Sequence, residues 1–307
     1  LESASGKANI NLRGVWEKFT KKKDVIVAVI DTGIQADHPH LKNNLYVIDG
    51  RVSDTNYGVD FSTAKPTLTP KDSHGHGTHV AGIIKNIFPD VKLLILKYYN
   101  PQASGQANLN STIRALEYAV DNNVDVINYS GGGPEPSLEE LKVLRKAEEK
   151  GILIVAAAGN ERSNIDDKRH AYYPASYGLD NIISIGAYDK NVNIIPSSNW
   201  GRLSVDLAAP GHKIKSSIPN NQAGFMTGTS QATAFVTGVV ALIKSSYPEL
   251  NYEQIKNSII ASSVKVKSLE GKTLAGGKLD ATNAYRMAER VSRLNQEKNG
   301  RALAKKK

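Results

Sequence analysis

Cysteine is absent from the 307 residues, and that absence removes disulfides, thiol nucleophiles and thiolate metal sites together. It leaves the redox compartment open and assigns stability to packing. No apolar run approaches the roughly 18 to 20 residues that cross a bilayer, so no membrane span is expected. The polar opening at residues 1–7 has no charged-then-apolar leader and reads as a processed or truncated start. Also missing is any basic strand interleaved with aromatics. Although 39 Lys and Arg outnumber 30 Asp and Glu for a net charge of +9, the cations cluster only at Lys21-Lys22-Lys23 and Lys305-Lys306-Lys307. That distribution describes a solvated basic surface with no nucleic-acid partner, at most one that attracts anionic polymers or acidic substrates. No internal repeat or low-complexity block occurs.

What is present is enough apolar material, 40% of residues, for one large core. Apolar runs at 25–30, 93–98, 124–129, 152–157 and 182–187 read as strands alternating with helices, the order that builds a parallel sheet. The expected fold is α/β, with three layers: a mostly parallel twisted sheet and helices on both faces. Ser137 with Glu140 and Asn251 with Gln254 are expected capping boxes, and Asp280 a cap. A buried central helix is expected over 230–247 and an amphipathic one over 281–295. The division is a flexible segment at 1–10, one folded domain over 11–296, and a basic, disordered tail at 297–307.

Three glycine-bounded motifs carry the chemistry. Gly228-Thr229-Ser230-Gln231 opens a run of small residues and seats a hydroxyl at a helix start, where free N–H groups and the helix dipole favour negative charge. A plain structural cap is the bland alternative. The strand at 25–30 stops at Asp31-Thr32-Gly33, which puts a carboxylate at the carboxyl end of a strand, where α/β proteins keep their chemistry. His74-Gly75-His76-Gly77-Thr78-His79 enters a helix packed through small residues.

Rival readings fail on spacing. A carboxylate-dyad enzyme needs a second Asp-Thr-Gly or Asp-Ser-Gly, and none occurs. Zinc on the three histidines lacks both the His-Glu-x-x-His spacing and thiol ligands, so no metal site is expected. The esterase pattern Gly-x-Ser-x-Gly, with its order Ser…Asp…His, does not fit either. In chain order the candidates are Asp31, His76 and Ser230.

That order and those motifs resemble the subtilisin-like serine proteases, the subtilases. Val126-Ile127-Asn128-Tyr129-Ser130-Gly131-Gly132, Val155-Ala156-Ala157-Ala158-Gly159-Asn160, Tyr173-Pro174-Ala175 and Ala209-Pro210-Gly211 extend the resemblance over about 11–288. It implies a serine endopeptidase acting on polypeptides, its catalytic domain being 11–296. His76 would take the Ser230 proton and Asp31 would orient the imidazole. The Asn160 amide and the Ser230 N–H, supported by Thr229, would receive the oxyanion.

The substrate would lie extended between residues 104–107 and 130–132, in contact with Ala107, Ser130, Gly131 and Gly132. Ala157, Ala158 and Gly159 would also contact the substrate, and Tyr172 would stand at the base of the pocket for the residue before the cut. Small residues at 107 and 131 imply a wide pocket four residues before the cut, admitting bulky apolar side chains loosely. Tyr172 implies a shallow first pocket, and Glu161 a mild preference there for Lys or Arg.

No cofactor is expected. The family's tight calcium site is expected to be absent, because His40 follows His38-Pro39 where an aspartate is usual and the His-motif helix has no inserted Asn/Gly-rich loop; weaker calcium binding stays open. Gln231, Ala234 and Phe235 replace the family's Met, Pro and His, which implies altered packing near Ser230. A catalytically silent scaffold is the alternative function, and the joint presence of all four catalytic residues weighs against it. The resemblance further implies an N-terminal propeptide as inhibitor and chaperone, a monomer, and a secreted or cell-envelope location, with an intracellular one not excluded.

Overall fold

Apolar side chains at both odd and even positions of a strand require cover on both faces of its sheet, and β1 (Ile26–Asp31) has them. Val27 and Val29 enter one core while Ala28 and Ile30 enter the other. This is seen in a computed structural model that describes residues 6–304. Five further strands run parallel to β1: β2 (Lys92–Lys97), β3 (Val126–Tyr129), β4 (Leu153–Ala157), β5 (Ile182–Tyr188) and β6 (Leu207–Pro210). Their spatial order is β6-β5-β4-β3-β1-β2. Chain order therefore reverses between β1 and β3, and such a switch point opens a crevice at the carboxyl ends of the strands.

Among the described residues, six helices of ten or more residues cover the sheet: α1 (His76–Ile87), α2 (Gly105–Asp121), α3 (Leu138–Glu149), α4 (Thr229–Ser246), α5 (Tyr252–Ala261) and α6 (Ala281–Ala304). The core on the Val27 side is closed by α1, α4, α5 and α6, and the core on the Ala28 side by α2 and α3. All of α4 except Lys244 is buried. Its glycine and alanines let it approach α1 closely: a methyl group on Gly238 would lie 2.5 Å from Ile87 Cβ. Among the described residues no helix is long and apolar enough to cross a membrane.

The helix starts follow their signals. Asn251 and Gln254 form a reciprocal capping box on α5, and Asp280 accepts from Asn283 N–H at 2.9 Å; a cap of this kind contributes about 1 kcal/mol. The box expected at α3 is only half made. Ser137 Oγ accepts from Glu140 N–H at 3.2 Å, but the Glu140 carboxylate turns instead to the Tyr129 and Tyr177 hydroxyls.

Two expectations need correction, and some strands went unforeseen. Residues 8–10 are not loose, since Ala8 and Ile10 are buried and Ile10 carbonyl accepts from Ala281 N–H at 2.7 Å. Helix α6 does not end near 295 but continues to Ala304, because no proline interrupts residues 295–304 and one glycine costs only about 1 kcal/mol. Residues 1–5 and 305–307 lie outside the described residues. Finally, β6 and the hairpin β7 (Ile214–Ile218) with β8 (Gln222–Met226) were not foreseen; β7 and β8 mix small, polar and apolar residues without clean alternation.

Candidate active site

The crevice at the switch point receives one segment from each of three adjacent strands. Asp31 ends β1, Ser130 follows β3, and Gly159-Asn160 follow β4, while His76 and Ser230 stand at the starts of α1 and α4. Helix dipoles thus point their positive ends at the place where the chain offers its reactive side chains.

The structure joins His76 to Asp31. The imidazole Nδ1–H donates to Asp31 Oδ1 at 2.7 Å, and Thr32 N–H donates to the same oxygen at 2.7 Å. Asp31 is 2% exposed, and its Oδ2 has no hydrogen-bond partner among the described residues. Burial disfavours the charged imidazole of His76, but the charge and hydrogen bond of Asp31, with the charge of Asp72, outweigh it and raise the His76 pKa. No hydrogen bond among the described residues joins Ser230 to His76. Ser230 Oγ instead donates to Ser130 carbonyl at 3.0 Å.

Asn160 is exposed and turns its Oδ1 toward Thr229, accepting from its N–H at 3.0 Å and its Oγ1 at 3.4 Å. Its Nδ2 makes no hydrogen bond among the described residues. Gln231, beside the serine, is buried with an unpartnered Nε2. A methyl group on Gly228 would stand 3.2 Å from both Asn160 Oδ1 and Gln231 Oε1.

Tyr172 occupies the gap between the ends of β3 and β4. A Cβ on Gly132 would lie 2.5 Å from Tyr172 Cε1, and one on Gly159, held at φ 98°, would lie 2.9 Å from Tyr172 Cδ2. Only glycine fits that φ without strain. Ala157 and Ala158 are buried beneath. Glu161 Oε2 accepts from Asn199 Nδ2 at 2.6 Å, so this carboxylate is already engaged. Of residues 104–107, Ser104 caps α2, and its Oγ accepts the Ala107 N–H at 3.2 Å. Ala107 lies exposed on the first turn.

Two organising residues escaped the sequence reading. Asp72, 4% exposed, accepts from Thr32 Oγ1 at 2.9 Å, His74 N–H at 3.0 Å, Gly75 N–H at 2.7 Å and both Thr78 donors. It ties the Asp31 turn to the His76 turn. Its signal was an acidic residue just before the glycine–histidine turn. Asn199 accepts from Glu161 and Ser163 N–H, each at 3.0 Å, and donates to Ala158 carbonyl at 2.9 Å. It braces the segment that carries Asn160, and nothing local in the sequence marks it.

A profile of the Subtilase family matches residues 22–289. The major intracellular serine protease of Bacillus subtilis (strain 168) is 34% identical over 290 residues, 90% of this chain and 87% of that protein. The intracellular serine protease of Paenibacillus polymyxa is 37% identical over 279 residues, 84% and 81% of the two chains. Subtilisin DY of Bacillus licheniformis is 35% identical over 257 residues, 80% and 86%. The chain belongs to the subtilase family and is a subtilisin-like serine peptidase.

Proposed function

We propose that this peptidase cleaves polypeptides through an acyl-enzyme on Ser230, with Asp31, His76 and Ser230 as its triad and Asn160 as an oxyanion donor. The observation that carries the reading is the 2.7 Å bond from His76 Nδ1 to a buried Asp31, because it fixes the tautomer in which Nε2 is the free base. Rotation about the Ser230 Cα–Cβ bond moves the hydroxyl from the Ser130 carbonyl toward His76 once substrate is bound; catalytic hydrogen bonds often tighten only in the complex. His76 then accepts the proton as Oγ attacks, and the Asp31 charge stabilises the imidazolium. The same proton passes to the leaving amine, and water repeats the sequence to release the acid. A fluorophosphonate probe tests this directly: it must attach to Ser230, and an active preparation without label there ends the reading.

Asn160 Nδ2 meets charge that develops only in the transition state. Asn160→Leu should therefore lower kcat by about a hundred- to a thousand-fold, a magnitude carried over from subtilisin, with KM nearly unchanged. A defect confined to KM contradicts the role.

The protonation of His76 sets the acid limb of the pH profile. The base is the neutral form and its pKa is raised, so kcat/KM should fall as pH drops through a midpoint above the ordinary histidine value of about 6.5. A midpoint at or below that value removes the raised pKa from the account.

Substrate selection is part of the same proposal. The Tyr172 ring fills the gap between Gly132 and Gly159, which favours small or medium side chains immediately before the cut. Tyr172→Gly should raise kcat/KM for Phe over Ala at that position by about tenfold or more. If the wild type cuts mainly after Phe, Tyr or Trp, the shallow pocket is wrong.

We infer no tight calcium site at the positions where the resemblance implies one, from the chemistry of the residues there. His40 Nδ1 pairs with Ser217 Oγ at 2.9 Å, and the Lys85 ammonium bonds the His40 carbonyl. A fixed cation and an imidazole do not make the oxygen cage that calcium requires. Two of the relatives carry "intracellular" in their names, which favours action inside the cell over the secreted setting expected from the sequence.

A further inference from the structure

A cavity of about 800 Å³ lies between the segment that leads into β6 and the loop that joins two short strands at the sheet edge, β9 (Val264–Lys265) and β10 (Gly277–Lys278). Because β10 runs parallel to β6, with Lys278 opposite Ala208, residues 266–276 precede β10 as Arg202 precedes β6. The cavity therefore opens at the amino ends of the strands, whereas the catalytic crevice lies at their carboxyl ends. Backbone bonds build its wall. Gly201 N–H donates to Lys272 carbonyl at 2.9 Å, Leu274 N–H to Val205 carbonyl at 2.7 Å and Ala275 N–H to Asp206 carbonyl at 2.9 Å, and the buried Leu269 anchors the loop. A preformed cavity of this volume is in the range of small-molecule sites.

Arg202, Lys265 and Lys267 line it against one carboxylate, Glu270. None of the four makes an ion pair among the described residues. Of their side chains only Lys265 is engaged, donating to Ala275 carbonyl, and an ammonium has two further N–H groups to give. Like charges gathered without counter-ions repel one another, so this lining holds two positive charges more than it neutralises. Thr273 lines the cavity too; its Oγ1 is buried and has no hydrogen-bond partner among the described residues, and buried hydroxyls are seldom left so. At Gly271 an added Cβ would meet nothing within 4 Å, so bare backbone borders the space.

Phosphoryl oxygens are the partners such a lining satisfies best, since Arg and Lys both pair with them through charge-assisted bonds. One phosphate carries about two negative charges at neutral pH and meets the excess, while a single carboxylate meets half of it. The volume leaves room for more than one phosphoryl group. No aromatic or histidine ring is in the lining, so a nucleobase has nothing to stack on. The geometry points to a binding site for a small anion of two or more phosphoryl groups without an aromatic portion. It stands apart from the peptidase chemistry and does not depend on it.

Calorimetric titration with inorganic tripolyphosphate at fixed ionic strength tests the site. Saturable binding of one equivalent is expected, tighter than that of orthophosphate, with ATP no tighter than tripolyphosphate. Arg202→Gln combined with Lys267→Gln should weaken it by about tenfold or more. Taking the same charge from the exposed face of α3, as Lys142→Gln with Arg145→Gln, should leave affinity nearly unchanged, which separates this cavity from the basic surface at large. Glu270→Gln should tighten binding. The melting temperature of each variant confirms folding, and if the cavity pair does not fold, Lys267→Gln alone decides. Absence of saturable binding, equal weakening by the two paired substitutions, or weaker binding in Glu270→Gln overturns the inference. ATP held tenfold more tightly than tripolyphosphate overturns the ligand class.

Discussion

Ser230→Ala should yield a folded protein that no longer hydrolyses peptide bonds. The substitution removes one oxygen at the start of α4, and that oxygen's only donated bond is to the Ser130 carbonyl, a group at the crevice that water can satisfy. Stability should change by less than about 1 kcal/mol. Activity should fall by about a million-fold in kcat, the size known for the equivalent change in subtilisin and carried over from it. Active-site titration and cleavage of a denatured protein check both halves. Residual activity above about a per cent of the wild type, in a preparation free of other proteases, is incompatible with Ser230 as nucleophile, because the covalent step needs its oxygen.

Asp31→Asn should be the second most damaging change, with a loss of roughly ten-thousand-fold in kcat, the scale seen when a triad aspartate is neutralised in related chemistry. An amide can keep its oxygen at the Oδ1 position, where His76 Nδ1–H and Thr32 N–H converge at 2.7 Å. What vanishes is the negative charge that stabilises the imidazolium. The NH2 group then falls on the Oδ2 side, which is buried and without a partner, so the variant should also lose about 1–3 kcal/mol of stability. Its residual activity should show an acid limb at lower pH than the wild type, since the Asp31 charge and hydrogen bond raise the His76 pKa. A loss smaller than about a hundred-fold, in a variant that melts like the wild type, would leave Asp31 a structural residue.

Chemistry was more legible in the sequence than bracing was. The motifs around Asp31, His76 and Ser230 each pair a reactive side chain with glycines in adjacent positions, and local sequence records such constraints well. The five central strands were equally plain, because burial on both faces leaves continuous apolar runs such as Val25-Ile26-Val27-Ala28-Val29-Ile30. Asn199 carries no such mark, since its role is to satisfy backbone groups at 158, 161 and 163, some forty positions away. Glu140 looked like half of a capping box, and only the arrival of Tyr129 and Tyr177 from other elements redirected its carboxylate.

The order of strands has a temporal consequence. The crevice exists only when β1, β3 and β4 are neighbours and both α1 and α4 have docked, which joins residue 31 to residue 230 across most of the chain. Parallel pairings over such separations form slowly, so hydrolytic power is among the last properties a refolding molecule acquires. A population caught midway then contains finished molecules beside unfinished ones, and extended unfinished chains are what the finished ones can cut. Refolding yield should therefore decline with protein concentration through mutual digestion as well as aggregation, and the decline through digestion should disappear when Ser230 is replaced.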